Sequence, residues 1–251
     1  MIENERIANL VEKIHNESPD KGYRRIRDDL KHDHHIDISD KRTLRICRIK
    51  GIKSTIKYAN HGCTRQASNP QFIAENILNR RFYADAPNQK WLTDVTEFKW
   101  YEGENVHKVY LSAILDLYDR RIVSYVISDR NDNPLVFNTF DKAVAENPKA
   151  MPIFHSDRGF QYTNRTFHAK LERAGMTQSM SRVAHCIDNG PMEGFWGILK
   201  RERYYGKKFQ SREDLTTMIE NYIEYYNNGR VQRNLGTLTP IEKHLSYYLA
   251  A

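Results

Sequence analysis

The chain has 251 residues, 39 Lys+Arg against 32 Asp+Glu, and a formal net charge of +7. At roughly 100–200 residues per domain, that length predicts one large domain or two small ones. A hydrophobic share of 39% with 28% charged residues excludes wholesale disorder, and no apolar run approaches the ~18–20 residues that a membrane span needs.

Ile7, Leu10, Val11 and Ile14 recur at helical spacing, and Ser18-Pro19-Asp20 ends that first helix. Tyr23, Ile26 and Leu30 predict a second, short amphipathic helix. Ser39 and Asp40 are N-cap residues for a third helix to about Lys50, with Gly51 at its C-terminal end. Lys41, Arg45 and Arg48 share one face of this third helix. The order helix, short connection, basic helix is a helix-turn-helix layout, also shared by generic three-helix units.

Residues 21–57 hold twelve Lys/Arg, Arg24 and Arg25 among them, against five acids, a net +7. The other 214 residues hold 27 of each sign, so the whole excess lies in this one stretch. A clustered basic patch is the footprint of a polyanion, because each neutralised phosphate releases condensed counterions. A solvated basic surface is the plain alternative.

Residues 58–86 are polar and Pro/Gly-bearing and read as a linker, with a short helix predicted over Phe72–Asn79. Lys90–Phe98 alternates as a strand, Glu102-Gly103-Glu104-Asn105 supplies a hairpin turn, and Val106–Leu115 and Ile122–Ile127 are β-rich. A helix over 133–146, with Asn133 as its cap and Pro134 in its first turn, precedes the short strand Met151–Ser156. Helices follow at about 163–174, 188–204 and 211–227. The expectation is an α/β core over 87–246, with helices on the faces of its sheet, preceded by a small all-α helix-turn-helix region over 1–57.

Three acids stand out by position. Asp94 lies in the first strand, Asp157 directly follows MPIFHS at a strand's C-terminal edge, and Glu193 lies in the first turn of a helix capped by Asp188. An acid in a first turn is also favoured by the helix dipole alone. As a set they suit phosphodiester chemistry, in which two divalent cations clamp the attacking and leaving oxygens. Hard oxygen donors hold Mg²⁺. Lys200, seven residues after Glu193, points from the same helix face and suits a DNA backbone near such ions.

The strings GYRRI, WLTDVTEF, IFHSDRGFQY, SMSRVAHCIDNGPMEGFWGILKRE and YIEYYNNGRVQRNLGTLTPIEKH resemble the insertion-sequence transposases with a retroviral-integrase-like core. More closely, they resemble the downstream frame of the third insertion-sequence family. Between Asp157 and Glu193 lie 35 residues, the Asp-Asp-35-Glu spacing of that group. The resemblance covers about residues 20–246 and implies a ribonuclease-H-like mixed sheet. It also implies metal binding by Asp94, Asp157 and Glu193 (two Mg²⁺ ions, with Mn²⁺ as substitute) and contact of Lys200 with a DNA end. The implied activity is 3′-end cleavage and strand transfer at the element's terminal inverted repeats. Implied partners are double-stranded DNA, as repeats and target, a second copy of the chain, and an upstream-frame product as fusion or partner. Ala184 stands where Gly is frequent in the family, and Gly190 where Ala is usual.

Two other classes are compatible with the same strings: a non-catalytic DNA-binding regulator derived from a transposase, and a plain ribonuclease-H-type nuclease. Three scattered cysteines (Cys47, Cys63, Cys186) and a charged start, MIENERIANL, predict a reduced bacterial cytoplasmic chain associated with the nucleoid, with no membrane partner. His34, His35, Cys47, His61 and Cys63 do not have the spacing of paired zinc dyads. His155 and Ser156 are adjacent on a strand and face opposite ways, which argues against a Ser/His nucleophile. Trp91, Phe195, Trp196, Tyr222, Tyr225 and Tyr226 are expected in the core, while Asn189 and Gln161 are left between DNA contact and loop shaping.

Overall fold

The computed structural model describes residues 2–56, 70–182 and 186–250. Lys57, His61, Cys63 and Ala184, all singled out in the sequence, lie outside these ranges. Three helices come first: α1 (Ile2–Glu17), α2 (Tyr23–His34) and α3 (Asp40–Ile49). Their apolar faces meet in one small core of Ile7, Val11, Ile14, Ile26, Leu30, Ile46 and Cys47. The Ser39 Oγ accepts the Arg42 backbone N–H at 3.2 Å and starts α3, and Gly51 just beyond it sits at φ +67°.

The core opens with an antiparallel meander, β1 (Lys90–Glu102), β2 (Asn105–Asp116) and β3 (Ile122–Ser128). Gly103, at φ +60°, makes the tight β1–β2 turn possible. Next come α4 (Asn133–Glu146), β4 (Ile153–Ser156), α5 (Arg165–Arg173) and β5 (Thr177–Met180). Both β4 and β5 run parallel to β1, giving one mixed sheet of order β3-β2-β1-β4-β5. A 3₁₀ turn (Cys186–Asn189) leads into α6 (Gly190–Leu199), which continues through a π-helical turn (Lys200–Tyr204); α7 (Arg212–Asn228) and α8 (Pro240–Ala250) close the chain.

Strand alternation sends Leu92 and Phe98 of β1 to the face covered by Met192, Phe195 and Leu199 of α6 and by Ile219, Tyr222 and Tyr226 of α7. Trp91 faces the opposite layer, against Phe140 of α4, Phe154 of β4 and Phe167 and Leu171 of α5. Among the described residues no helix is long and apolar enough to cross a membrane.

The fold departs from the sequence reading at four places. Phe72–Asn79 forms no helix; it lies extended along the sheet edge, with the Met180 N–H donated to the Glu75 carbonyl at 3.2 Å and the Leu78 N–H to the Ser179 Oγ at 3.1 Å. The described part of the expected linker, 70–86, is therefore packed onto the core, with Leu78 buried. The fifth strand, Thr177–Met180, was not anticipated because Gln178 and Ser179 are polar; both are buried and hydrogen-bonded. Asp132 rather than Asn133 caps α4, accepting the Leu135 N–H at 3.2 Å. Finally, Asp188 does not cap α6; Asn189 occupies that position without a side-chain cap bond.

Candidate active site

The strand order turns back at β1: β2 and β3 lie on one side, β4 and β5 on the other. Such a switch point leaves a crevice at the strand ends where α/β sheets place ligands. Lys90, Trp91 and Leu92 pair with Ile153, Phe154 and His155. Extending that register by two residues sets Asp94 level with Asp157, just past the end of β4. Asp94 also shares the face of Leu92, which is the face that α6 covers. Glu193 stands in the first turn of α6 and is exposed at that end. Three distant segments thus bring one carboxylate each to the same crevice.

Their charges interact. Burial first, and then the Asp157 and Glu193 charges, hold Asp94 well above the usual carboxylate range. Burial raises Asp157, and burial together with the Asp157 charge raises Glu193. Burial leads in all three, and the charge of Asp157 acts on both Asp94 and Glu193, as expected of carboxylates brought close together. The donors are all hard oxygens, so the set fits Mg²⁺ or Mn²⁺. No three His, Cys, Asp or Glu side chains among the described residues stand close enough to enclose a single ion.

Neighbouring residues fix the carboxylates in place. The Trp196 indole donates from Nε1 to the Asp94 Oδ2 at 3.0 Å, tying α6 to β1. The Asn189 Nδ2 donates to the Thr93 carbonyl at 3.1 Å, so α6 is pinned to β1 on both sides of Glu193. The Gly159 N–H donates to the Asp157 Oδ1 at 2.8 Å. A Cβ on Gly159 would sit 3.0 Å from that oxygen and 3.2 Å from the Gln161 Oε1, so a larger residue would press on the Asp157 carboxylate. Gln161 shapes its loop, donating to Asn131. The hydrogen bonds of Trp196 and Asn189 have no local sequence signal, because their partners lie about a hundred residues away.

His155 is fully buried, hydrogen-bonded to Ser179 and Ser181, and pushed down by burial to about 4. It is a neutral packing residue. The Ser156 hydroxyl donates to the Asp157 carbonyl, so the two form no dyad. Trp91, Phe195 and Trp196 are core residues, as are Tyr222 and Tyr226, while Tyr225 is half-buried. Gly190 has ordinary room for a Cβ, its nearest neighbour there being Phe82 at 3.9 Å, so the departure from Ala carries no steric demand.

Asp188 is the residue whose role the sequence hid. Its buried carboxylate accepts from Arg182 through the backbone N–H, Nε and a terminal nitrogen, from the Arg80 Nε at 2.6 Å and from the Asn76 Nδ2 at 3.0 Å. Hydrogen bonds from Arg182, opposed by burial and reinforced by Arg80, hold it well below the usual carboxylate range. The carboxylate thereby anchors the segment that delivers α6. Asp188→Asn is expected to cost about 2 kcal/mol, the scale of hydrogen bonds to a charged group. A depressed folded-state pKa gives stability that is present above the unfolded value of about 3.9 and lost as pH falls below it. Thermal melts of the two proteins should therefore differ at pH 7 and converge in acid.

Lys200 is half-buried at the start of the π turn, its ammonium 5.0 Å from the Phe98 ring. Burial lowers its pKa, and the Asp94 and Glu97 charges oppose that lowering. Lys200 thus lies within electrostatic reach of Asp94. Lys41, Arg45 and Arg48 are exposed on α3 and have no carboxylate partner among the described residues; Arg24 is likewise exposed and unpaired. Arg25 is a correction. Its guanidinium pairs with Glu202 at 2.8 Å and Asp20 at 3.1 Å and donates to the Tyr225 hydroxyl at 3.1 Å, so it is committed inside the protein and not offered to DNA.

The fold and these carboxylates define an integrase-type core joined to a helix-turn-helix unit. Comparison with known proteins agrees: the integrase core domain family matches residues 84–186 and again 193–244, and the HTH-like domain family matches 3–60. Transposase InsK for insertion sequence element IS150 of Escherichia coli (strain K12) is 37% identical over 245 residues, covering 97% of this chain and 84% of the relative. Transposase InsF for insertion sequence IS3A of the same organism is 34% identical over 190 residues, covering 74% of this chain and 62% of InsF. A simian T-cell lymphotropic virus intasome shares the fold at TM-score 0.50 and 17% identity, covering 82% of this chain and 70% of that one. The chain belongs to the insertion-sequence transposases with an integrase core, the family of InsK and InsF.

Proposed function

We propose that this DNA transposase cuts and joins strands at the terminal inverted repeats of an insertion sequence, with Asp94, Asp157 and Glu193 holding two Mg²⁺ ions, for which Mn²⁺ substitutes. The observation that supports this most directly is the convergence of three mutually repelling carboxylates at the switch point of the sheet. The bound ions would supply charge neutralisation at the phosphodiester and activation of an oxygen nucleophile. Asp94, oriented by the Trp196 indole, and Asp157, oriented by the Gly159 N–H, are the fixed donors. Glu193 adds a donor from the helix side. Lys200 is placed to meet a phosphate of the DNA end next to these carboxylates. His155, neutral and turned to Ser179 and Ser181, does not serve as a base for a side-chain nucleophile, which favours direct transfer without a covalent enzyme intermediate.

In this reading residues 1–57 grip the duplex through Lys41, Arg45, Arg48 and Arg24, and residues 87–246 perform the chemistry. Joining two element ends calls for at least two copies of the chain on DNA, and an upstream-frame product is the natural fusion or partner. Incubation with labelled terminal-repeat DNA and Mg²⁺ or Mn²⁺ tests the assignment. Joined strands are expected. Nicks alone would indicate a nuclease, and a salt-sensitive gel shift without cleavage would indicate a regulator.

A further inference from the structure

A cleft of about 400 Å³ separates the N-terminal unit from the end of the catalytic helix. One wall carries Tyr23, Arg24 and Arg25 of α2; the other carries Ile198, Arg201 and Glu202, with Arg230 beyond α7. Three of the strings that carry the family resemblance meet here: GYRRI supplies Arg24 and Arg25, LKRE supplies Arg201 and Glu202, and NNGR supplies Arg230. None of these residues belongs to the carboxylate site.

The four arginines divide into two pairs. Arg25 and Arg230 each bond to Glu202 at 2.8 Å, and Tyr222 donates its hydroxyl to the same carboxylate at 2.9 Å. This buried ionic group joins the two walls, as does Asp20 of the same lining, which pairs with Arg25 at 3.1 Å and Arg203 at 3.2 Å. Arg24 and Arg201 are different. Each lines the cleft, from opposite walls, and has no carboxylate partner among the described residues. Arg201 lies back along α6, one terminal nitrogen 3.1 Å from where a Cβ on Gly197 would be. It also directly follows Lys200, whose ammonium feels the Asp94 charge.

We propose that this cleft is a backbone-phosphate site, in which Arg24 and Arg201 grip the DNA from two sides as it passes from the helix-turn-helix unit to the carboxylates. Guanidiniums offer planar forks matched to phosphate oxygens, and two that line one cleft without a carboxylate partner favour an anion there. Arg24 belongs to the unit that presents Lys41, Arg45 and Arg48; Arg201 belongs to the helix that presents Glu193 and Lys200. A phosphate held by both would register the gripped duplex against the reactive centre. This rests on the DNA-transposase reading and adds a contact that spans the two regions.

The test is the salt dependence of duplex binding by the full chain. Each phosphate contact contributes a slope of about 0.9 in log K against log salt. For the double variant R24A/R201A the slope should fall by about 1–2 relative to wild type. The triple variant K41A/R45A/R48A should lower it independently, and the two losses should add. Among the described residues neither Arg24 nor Arg201 has an ion pair to lose, so melting temperatures should stay near wild type and exclude misfolding. A wild-type slope in R24A/R201A, alongside a reduced slope in the triple variant, overturns the cleft assignment while the DNA reading stands. Absence of salt-dependent binding by the wild type overturns the DNA reading itself. Inorganic phosphate that binds wild type but not R24A/R201A, with the duplex slope unchanged, would make the cleft a free-anion site and also overturn the proposal.

Discussion

Asp94→Asn, Asp157→Asn and Glu193→Gln should each remove cleavage and joining, a fall of about 10³-fold or more, equivalent to about 4 kcal/mol of transition-state stabilisation. Each change deletes a charge from a set whose function depends on holding cations between itself and a polyanion. Duplex affinity should stay within a few-fold of wild type, because the grip is placed on the exposed cations of α3 and α2. Side-by-side strand-transfer and gel-shift assays check both halves. Full strand transfer by any one variant would remove that residue from the site. The three are not expected to behave identically in isolation: Asp94 is held by Trp196 and Asp157 by Gly159, whereas Glu193 is exposed at its helix end. Metal-free protein should therefore gain some stability from Asp94→Asn, which relieves the crowding that raises the Asp94 pKa.

Glu202→Ala is expected to produce the largest loss of stability. Its side chain is 4% exposed and bonds Arg25, Arg230 and Tyr222 together, with the arginines at 20% and 12% exposure. Removing one partner of a buried pair leaves the other charges unpaired, at a cost of about 3–5 kcal/mol. For a chain of this size each kcal/mol shifts the melting point by about 2–4 °C, so a drop on the order of 10 °C is expected. The loss should be felt at both ends of the molecule, because Arg25 belongs to α2 and Arg230 follows α7. Scanning calorimetry of wild type and variant is the measurement, and a shift of under about 2 °C would show that the ionic group contributes little.

The carboxylates were legible because each sits in a short string with its own local logic: a strand interior, a strand end before Arg-Gly, a first helical turn. The meander and most helices were legible for the same reason, since periodicity and turn residues act over a few positions. What stayed hidden has partners remote in sequence. Gln178 and Ser179 read as loop, yet His155, Tyr162 and His168 satisfy them inside the sheet layer. Asp188 reads as a helix cap, yet Arg80 draws it elsewhere from 108 positions away. Phe72–Asn79 has the composition of a helix, yet its backbone is satisfied by the edge of β5 and the loop before α5. Arg25 looked like one more member of a basic patch, and its bonds to Glu202, Asp20 and Tyr225 show otherwise. Of the twelve cations of residues 21–57, Arg25 and Lys50 pair with acids outside that segment, Asp20 and Glu202 for the first and Glu12 for the second. Lys21, Arg25, Arg27, Lys31 and Lys50 have carboxylate partners, leaving Arg24, Lys41, Arg45, Arg48 and Lys53 free among the described residues.

The contacts between the first and last parts of the chain also set an order of events during synthesis. Arg233 reaches Asp28 at 2.8 Å and Asp40 at 2.7 Å, His32 reaches Glu242 at 2.9 Å, and Arg203 reaches Asp20 at 3.2 Å. The three-helix unit emerges from the ribosome first and has its own small core, so it folds early. Its acidic docking positions stay unmatched until some two hundred further residues have been translated. For that interval the unit is a separate body with a net positive charge. Seating against the π turn, the turn at Arg233 and α8 comes last, so the three-helix unit is aligned with the carboxylates only when the whole chain has been made.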